Sequence, residues 1–207
     1  MDSNSISFDL YHPKPLLVVI SGTSGIGKDA VVKGLMRRDL PFHFVVTATS
    51  RAPRKDEVYG KDYFFFSKEE FEARIAKGEF IEYAVVYDQY KGVLRSQIDD
   101  ALKSGKDVVM RLDVQGSATI RKLYPEAILI FLIPNNKEEW IERLMSRESE
   151  TAENLQVRIE TAKTEVAQIK LFDYVVVNAE NLLEKAVDDI ISIINCEHHK
   201  VNHRKLL

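Results

Sequence analysis

The sequence predicts an α/β fold built on a parallel sheet, and three observations carry that prediction. Apolar runs at 16–20, 108–112, 128–133 and 174–177 have the length and composition of strands buried on both faces. Segments with the spacing of amphipathic helices separate them, at 29–38, 95–103, 115–123, 137–147, 152–170 and 182–197. A glycine-rich turn, Gly22-Thr23-Ser24-Gly25-Ile26-Gly27-Lys28, joins the first run to the first of these helices. Strands that alternate with helices close as a parallel sheet with helices on both faces.

Taken in order, the first element is the informative one. Strand, glycine loop and helix give the context a phosphate-binding loop requires, and the spacing G-x-x-x-x-G-K is matched. Glycine lets successive backbone N–H groups turn inward, making an anion nest at the positive end of a helix dipole. Lys28 can then reach the outer phosphates as a point charge. The next residue is Asp29, where the pattern has Ser or Thr.

The rhythm breaks between about 42 and 92. Segments 42–46, 63–66 and 80–87 are strand-like, with one helix among them. Ser67 and Glu70 form a capping box at its start, and Gly78 closes it. A strand-rich insertion into a parallel core predicts a substrate-binding subdomain. A second irregular segment, 146–153, is polar and lies between two arginine-bearing helices; it reads as a mobile lid or an exposed loop. Farther on, Gly105 ends a helix, and Pro125 and Pro134 punctuate strand–helix junctions.

Composition bounds the function. The 207 residues are enough for one large domain, and the formal charge of −3 gives no support to broad nucleic-acid binding. Cys196 is the only cysteine, so no intrachain disulfide forms and a reducing compartment is expected. No apolar run approaches a membrane span. The first fifteen residues look like neither a signal peptide nor an Arg-rich transit peptide. The expectation is a cytoplasmic protein that binds no membrane. A trimmed chloroplast or mitochondrial form is the alternative.

Downstream of the loop the chain reads Thr47-Ala48-Thr49-Ser50-Arg51-Ala52-Pro53-Arg54 and continues Glu57-Val58-Tyr59-Gly60-Lys61-Asp62-Tyr63-Phe64. Two arginines and a tyrosine so placed resemble the signature of guanylate kinases. The resemblance runs from about 15 to 195. It takes in Glu79-Phe80-Ile81-Glu82-Tyr83, Leu112-Asp113-Val114-Gln115-Gly116, Arg143-Leu144-Met145-Ser146-Arg147 and Tyr174-Val175-Val176-Val177-Asn178. The local spellings GKDAV, QYKG and RLDVQG are most similar to the organellar guanylate kinases of plants.

The resemblance implies a P-loop nucleoside monophosphate kinase fold. Its core would be 1–41, 96–145 and 160–207, with a GMP-binding insertion at 42–95 and a lid at 146–159. It implies the reaction ATP + GMP → ADP + GDP with Mg2+, and ATP and GMP as partners. The chain would be a monomer or weak homo-oligomer. By the same resemblance, residues 22–29 with Arg143 and Asn178 bind ATP, Asn178 at the adenine. Lys28, Arg54, Arg147 and Arg158 act on the transferring phosphoryl group. Arg51, Arg54, Tyr63 and Lys91 hold the GMP phosphate, and Thr47, Glu82 and Asp113 face the guanine. Asp29 and Asp113 are the candidate Mg2+ residues; for Asp113 the two roles are not separable in sequence.

These residue types suit the chemistry. Arginine forks fit phosphate, and a carboxylate at Glu82 can accept the ring N1–H and the exocyclic amine that only guanine presents side by side. Phosphoryl transfer needs charge neutralisation and positioning, so His12, His43, His198, His199 and His203 need no role. Taken singly, Arg143, Arg147 and Arg158 read as solvated helix charges, Tyr63 as core and Glu82 as surface; the joint pattern in register with the loop overrides those readings. Three positions depart from the family: Asp29, Lys91 in place of a second tyrosine, and Arg111 in place of an acid. An inactive peptide-binding relative, or a kinase with another acceptor such as a sugar phosphate, is the alternative. The intact glycine loop argues against the first and the purine-facing trio against the second.

Overall fold

The computed structural model describes residues 11–86, 88–145 and 152–201. Arg147 and the first part of the predicted lid lie outside these residues.

β1 (Leu17–Gly22) is the middle strand of a parallel sheet. On one side it pairs with β7 (Asp107–Arg111), which pairs in turn with β2 (Phe42–Phe44). On the other it pairs with β8 (Ile128–Ile133), which pairs with β9 (Tyr174–Val177). β1 and β8 are buried almost end to end because both faces are covered. At the sheet edge β9, expected from its composition to be buried on both faces, instead leaves Val175 and Val177 exposed on one side. Val18 and Ile20 pack with Val31, Leu35, Val187 and Ile190, under α1 (Lys28–Met36) and α7 (Leu183–His198). Leu17 and Val19 point the other way, onto Ile98, Ala101 and Ile120 of α3 (Arg95–Lys103) and α4 (Val114–Leu123). Each such buried side chain contributes about 1.5–3 kcal/mol relative to exposure. α1 and α7 come together closely at Gly34, where an added Cβ would lie 2.5 Å from Val187 Cγ2.

A second, mostly antiparallel sheet has the order β4 (Phe64–Phe65), β3 (Ala48–Thr49), β6 (Gln89–Leu94), β5 (Phe80–Val86). α2 (Lys68–Ala76) rests on it through a small core of Phe66, Phe71 and Phe80, with the Phe71 and Phe80 rings stacked at 4.3 Å. The capping box is formed as the sequence predicts: Glu70 N–H donates to Ser67 Oγ at 3.1 Å, and Ser67 N–H to Glu70 Oε2 at 2.7 Å.

Two readings need correction. The strand at 42–46, which the sequence groups with the insertion, forms only over Phe42–Phe44 and extends the parallel core sheet, with Phe42 opposite Asp107. Which sheet a short strand joins is a long-range choice that its own residues do not encode. The strands β3 and β6 are absent from the sequence reading. The first has two residues, and the second, though a continuous strand, carries Lys91-Gly92 in place of an apolar run; an added Cβ on Gly92 would lie 2.7 Å from the Glu82 carbonyl.

Beyond β8, α5 (Lys137–Met145) and α6 (Ala152–Ala167) pack through Trp140, Leu144 and Ala162. The glycine loop after β1, the turn after β7 and the end of β9 all lie at the carboxyl edge of the parallel sheet, where open α/β sheets bind ligands.

Candidate active site

At that edge the glycine loop wraps the start of α1. Gly27 sits at the helix N-cap with φ +93°, and Gly25 with φ +83° passes so close to α5 that a Cβ would lie 2.5 Å from Leu144 Cδ2. Both positions need glycine, for conformation and for space. Lys28 folds back over the loop, donating from Nζ to the Gly22 carbonyl at 2.7 Å and the Thr23 carbonyl at 3.1 Å. Burial, and then the nearby Lys91, lower its pKa to about 8.

The loop is braced from three sides. Asn178, buried at the end of β9, donates to the Ile26 carbonyl at 2.7 Å, and Arg143 Nη1 approaches the same oxygen at 3.4 Å while pairing with Glu139. Trp140 Nε1 donates to the Ser24 carbonyl at 2.8 Å, and Arg158 Nη1 to Ser24 Oγ at 3.3 Å. The Ser24 N–H donates to Glu165 on α6, whose carboxyl is raised by burial and whose Oε2 is buried without a hydrogen-bond partner among the described residues. Asn178, given to the adenine by resemblance, thus has its amide turned to the loop.

The residues expected around GMP line a narrow cavity of about 40 Å3 that includes Thr47, Tyr63, Glu82, Lys91 and Asp113. It shares Lys28, Asp29, Tyr63, Lys91 and Asp113 with a wider cleft of about 570 Å3 that holds the glycine loop, Arg51, Arg54, Arg158 and Glu165. Glu82 is 5% exposed, and burial followed by the Asp113 charge raises its carboxyl to about 8. Its carboxylate lies against α4 at Gly116, where a Cβ would be 2.8 Å from Oε2. Asp113 caps α4, its Oδ1 accepting from Gly116 N–H at 2.8 Å. Lys91 is half-buried, and desolvation of its ammonium lowers its pKa.

Arg51 is held flat by Glu57 through two bonds of 2.7 Å, with its guanidinium 4.9 Å from the Tyr63 ring centre. Glu57 Oε2 also accepts from the Arg54 N–H at 2.7 Å. Two of the departures meet here: Asp29 Oδ1 lies 3.1 Å from Arg111 Nη1 and accepts from the Tyr63 hydroxyl at 3.0 Å. Burial alone would raise the Asp29 carboxyl, but Arg111, Tyr63 and Lys28 together hold it below the ordinary range.

The arrangement suits a hard cation. Asp29 and Asp113 offer carboxylate oxygens to both cavities. Among the described residues there is no group of three or more metal-ligating side chains. Mg2+ needs none, since it is commonly held by one or two carboxylates with water and substrate phosphates.

Sequence reasoning missed Glu57, Gly116, Trp140 and Glu165. Glu57 and Gly116 stand within the stretches that carry the resemblance but were given no role, and Glu165 left a spacing signal: Arg158, Ala162 and Glu165 fall at i, i+4 and i+7, one stripe of α6. Arg147 lies outside the described residues. None of the helices in those residues is long and apolar enough to cross a membrane.

A sequence model of the guanylate kinase family matches residues 14–197. The chain is 50% identical over 193 residues to guanylate kinase 2, chloroplastic/mitochondrial, of Oryza sativa, covering 93% of this chain and 68% of that protein. It is 42% identical over 192 residues to the guanylate kinase of Clostridium tetani, covering 93% of this chain and 91% of the other. The crystal structure of guanylate kinase from Anaplasma phagocytophilum superposes with a TM-score of 0.75 at 30% identity, covering 91% of this chain and 88% of that one.

Proposed function

The chain belongs to the guanylate kinase family, and from that premise we propose how its own residues perform the family's reaction. It is an ATP:GMP phosphotransferase, passing the terminal phosphoryl group of ATP to the GMP phosphate to give ADP and GDP. The observation that carries the residue assignment is the shared boundary of the two cavities. A buried carboxyl suited to guanine opens onto the same Lys28, Asp29 and Lys91 that border the glycine loop.

On the donor side, the loop amides and Lys28 take the outer phosphates of ATP. Lys28 exchanges the Gly22 and Thr23 carbonyls for phosphate oxygens. Asn178 and Trp140 keep the loop in shape, and Arg143, Arg147 and Arg158 supply positive charge around the transferring group. Mg2+, held by Asp29 and Asp113 with the phosphates, would neutralise the charge on the polyphosphate.

On the acceptor side, Arg51 (pre-oriented by Glu57), Arg54, Tyr63 and Lys91 hold the GMP phosphate, which is already an anionic nucleophile and needs no base. Glu82 is neutral in the free site near pH 7. Guanine presents two N–H donors that favour its ionised form, so binding releases a proton to solvent. AMP has no such pair of donors and would leave the carboxyl facing an acceptor. Thr47 lines the same pocket beside the base.

The small sheet and α6 move toward the core when both nucleotides are bound, excluding water that would compete as acceptor. Small-angle scattering checks this: the radius of gyration falls under saturating GMP with an inert ATP analogue, and an unchanged radius removes the idea. We place the enzyme, as a monomer or weak homo-oligomer, in a reducing compartment, with the cytoplasm first and an organelle interior as the alternative. Light scattering and imaging of a tagged full-length product test these two points.

The test of function is ADP release from MgATP against a panel of nucleoside monophosphates. GMP is the preferred acceptor. No release with any acceptor would leave a peptide-binding module, and preference for a non-purine phosphate would move the reading to another acceptor.

A further inference from the structure

Two departures that are separate in sequence, a carboxylate at 29 and a guanidinium at 111, form one contact in space. Arg111 ends β7 with its side chain only 10% exposed, and such a charge needs a partner. Asp29, in the first turn of α1, is that partner. Arg111 makes two more contacts: Nη2 donates to the Asp62 carbonyl, and the guanidinium lies 4.1 Å from the centre of the Tyr63 ring. Tyr63 in turn donates its hydroxyl to the same Asp29 Oδ1. The loop carrying Asp62 is not packed solidly from behind. A cavity of about 370 Å3 lies there, bordered by Val45, Val58, Val109 and Lys61. The only other side-chain tether given to Asp62 among the described residues that reaches the core is Lys33, an ion pair at 2.9 Å whose lysine is half exposed and correspondingly weak.

We propose that Asp29 and Arg111 are a matched pair of positioning residues that join the donor and acceptor halves of the site. Arg111 offsets the negative charge that Asp29 sets beside the polyphosphate. Through its stacking and the shared Asp29 oxygen it also fixes Tyr63 for the acceptor phosphate. The chain thereby uses a carboxylate after the P-loop lysine without repelling its donor. The proposal rests on the reading of Tyr63 as a GMP-phosphate ligand.

The test is a double-mutant cycle of Asp29→Ser and Arg111→Met, read by calorimetric binding of GMP and of ADP without metal, and by the unfolding midpoint of the free protein. Each single variant weakens GMP binding about tenfold or more, and Arg111→Met also weakens ADP, because an unpaired charge is left in place. The double variant returns ADP affinity and the unfolding midpoint close to the parent values. Additive losses overturn the pairing. Arg111→Lys separates positioning from charge: ADP affinity stays within about threefold of the parent while GMP affinity falls about tenfold, since an ammonium cannot lie flat on Tyr63 and bridge Asp62 as well. Unchanged GMP affinity in that variant overturns the positioning role. A parent that binds ADP but not GMP overturns the acceptor assignment itself, and with it the role given to Tyr63, while the unfolding cycle still decides whether 29 and 111 are paired.

Discussion

The two ends of the cleft are built on different physical terms. The donor end is one continuous stretch, strand, loop and helix, whose backbone makes the site and whose shape is braced by Asn178, Trp140 and Arg158 from the surrounding core. The acceptor end is assembled from pieces far apart in sequence: Thr47, Glu82, Lys91 and Asp113 come from separate strands and turns. It rests on a small aromatic core and is held by polar pairs such as Arg51 with Glu57. Phosphate binding needs only oriented N–H groups, so it can be local. Base recognition needs a desolvated carboxyl, which only a folded cavity can provide.

If the donor end acts as a unit separate from base recognition, Lys28→Ala abolishes turnover and leaves GMP binding largely intact. Removing a positioned charge from a closed site costs on the order of 10³-fold in rate. Comparable loss of GMP affinity, measured by calorimetry, would erase the distinction between the two ends.

Glu82→Gln should do the reverse. It weakens GMP use by roughly 1–3 kcal/mol and narrows the GMP/AMP ratio of kcat/KM, with ATP binding kept. The pH dependence sharpens this. Burial raises the free Glu82 carboxyl to about 8, so if guanine takes its ionised form, as proposed, GMP affinity in the parent rises with pH from about 6.5 through 8. The Gln variant lacks that component. Stability runs the other way: with its folded pKa above the unfolded value, Glu82 favours folding fully below about pH 4.5, and that contribution is lost as pH rises through 8. Glu82→Gln therefore raises Tm more at pH 8 than at pH 5. A parallel shift at both pH values would mean the carboxyl is not strained by burial.

The smallest effect is reserved for the scaffold of the acceptor end. Ser67→Ala removes half of the capping box on α2 at a cost of about 1 kcal/mol. Tm falls by roughly 2–4 °C and nucleotide constants stay within about twofold. A marked loss of GMP affinity would show that α2 is more tightly coupled to the pocket than its contacts indicate.

The same contrast explains what was legible in the sequence. The glycine loop, Lys28 and the Ser67–Glu70 box were readable because each is a local solution to unsatisfied backbone groups. The core strands β1, β7, β8 and β9 were readable from composition. β2's place in the core sheet and the existence of β3 and β6 were not, because pairing is decided by partners tens of residues away. Glu82 was nameable by resemblance, but its raised pKa depends on Asp113 and on how closely the glycine at 116 lets it lie against α4. The pairing of Asp29 with Arg111, eighty-two positions on, needed the fold.

The Trp140 indole, buried against the Ser24 carbonyl at the apex of the P-loop, has one more consequence. It is the only tryptophan in the chain, so the protein carries a built-in optical reporter at its donor site. Ligands that reshape the loop, or motions of α5 and α6 that pull on it, alter the surroundings of a single chromophore. Occupancy of that half of the cleft should be observable in the unlabelled protein, without a coupling enzyme or a modified nucleotide.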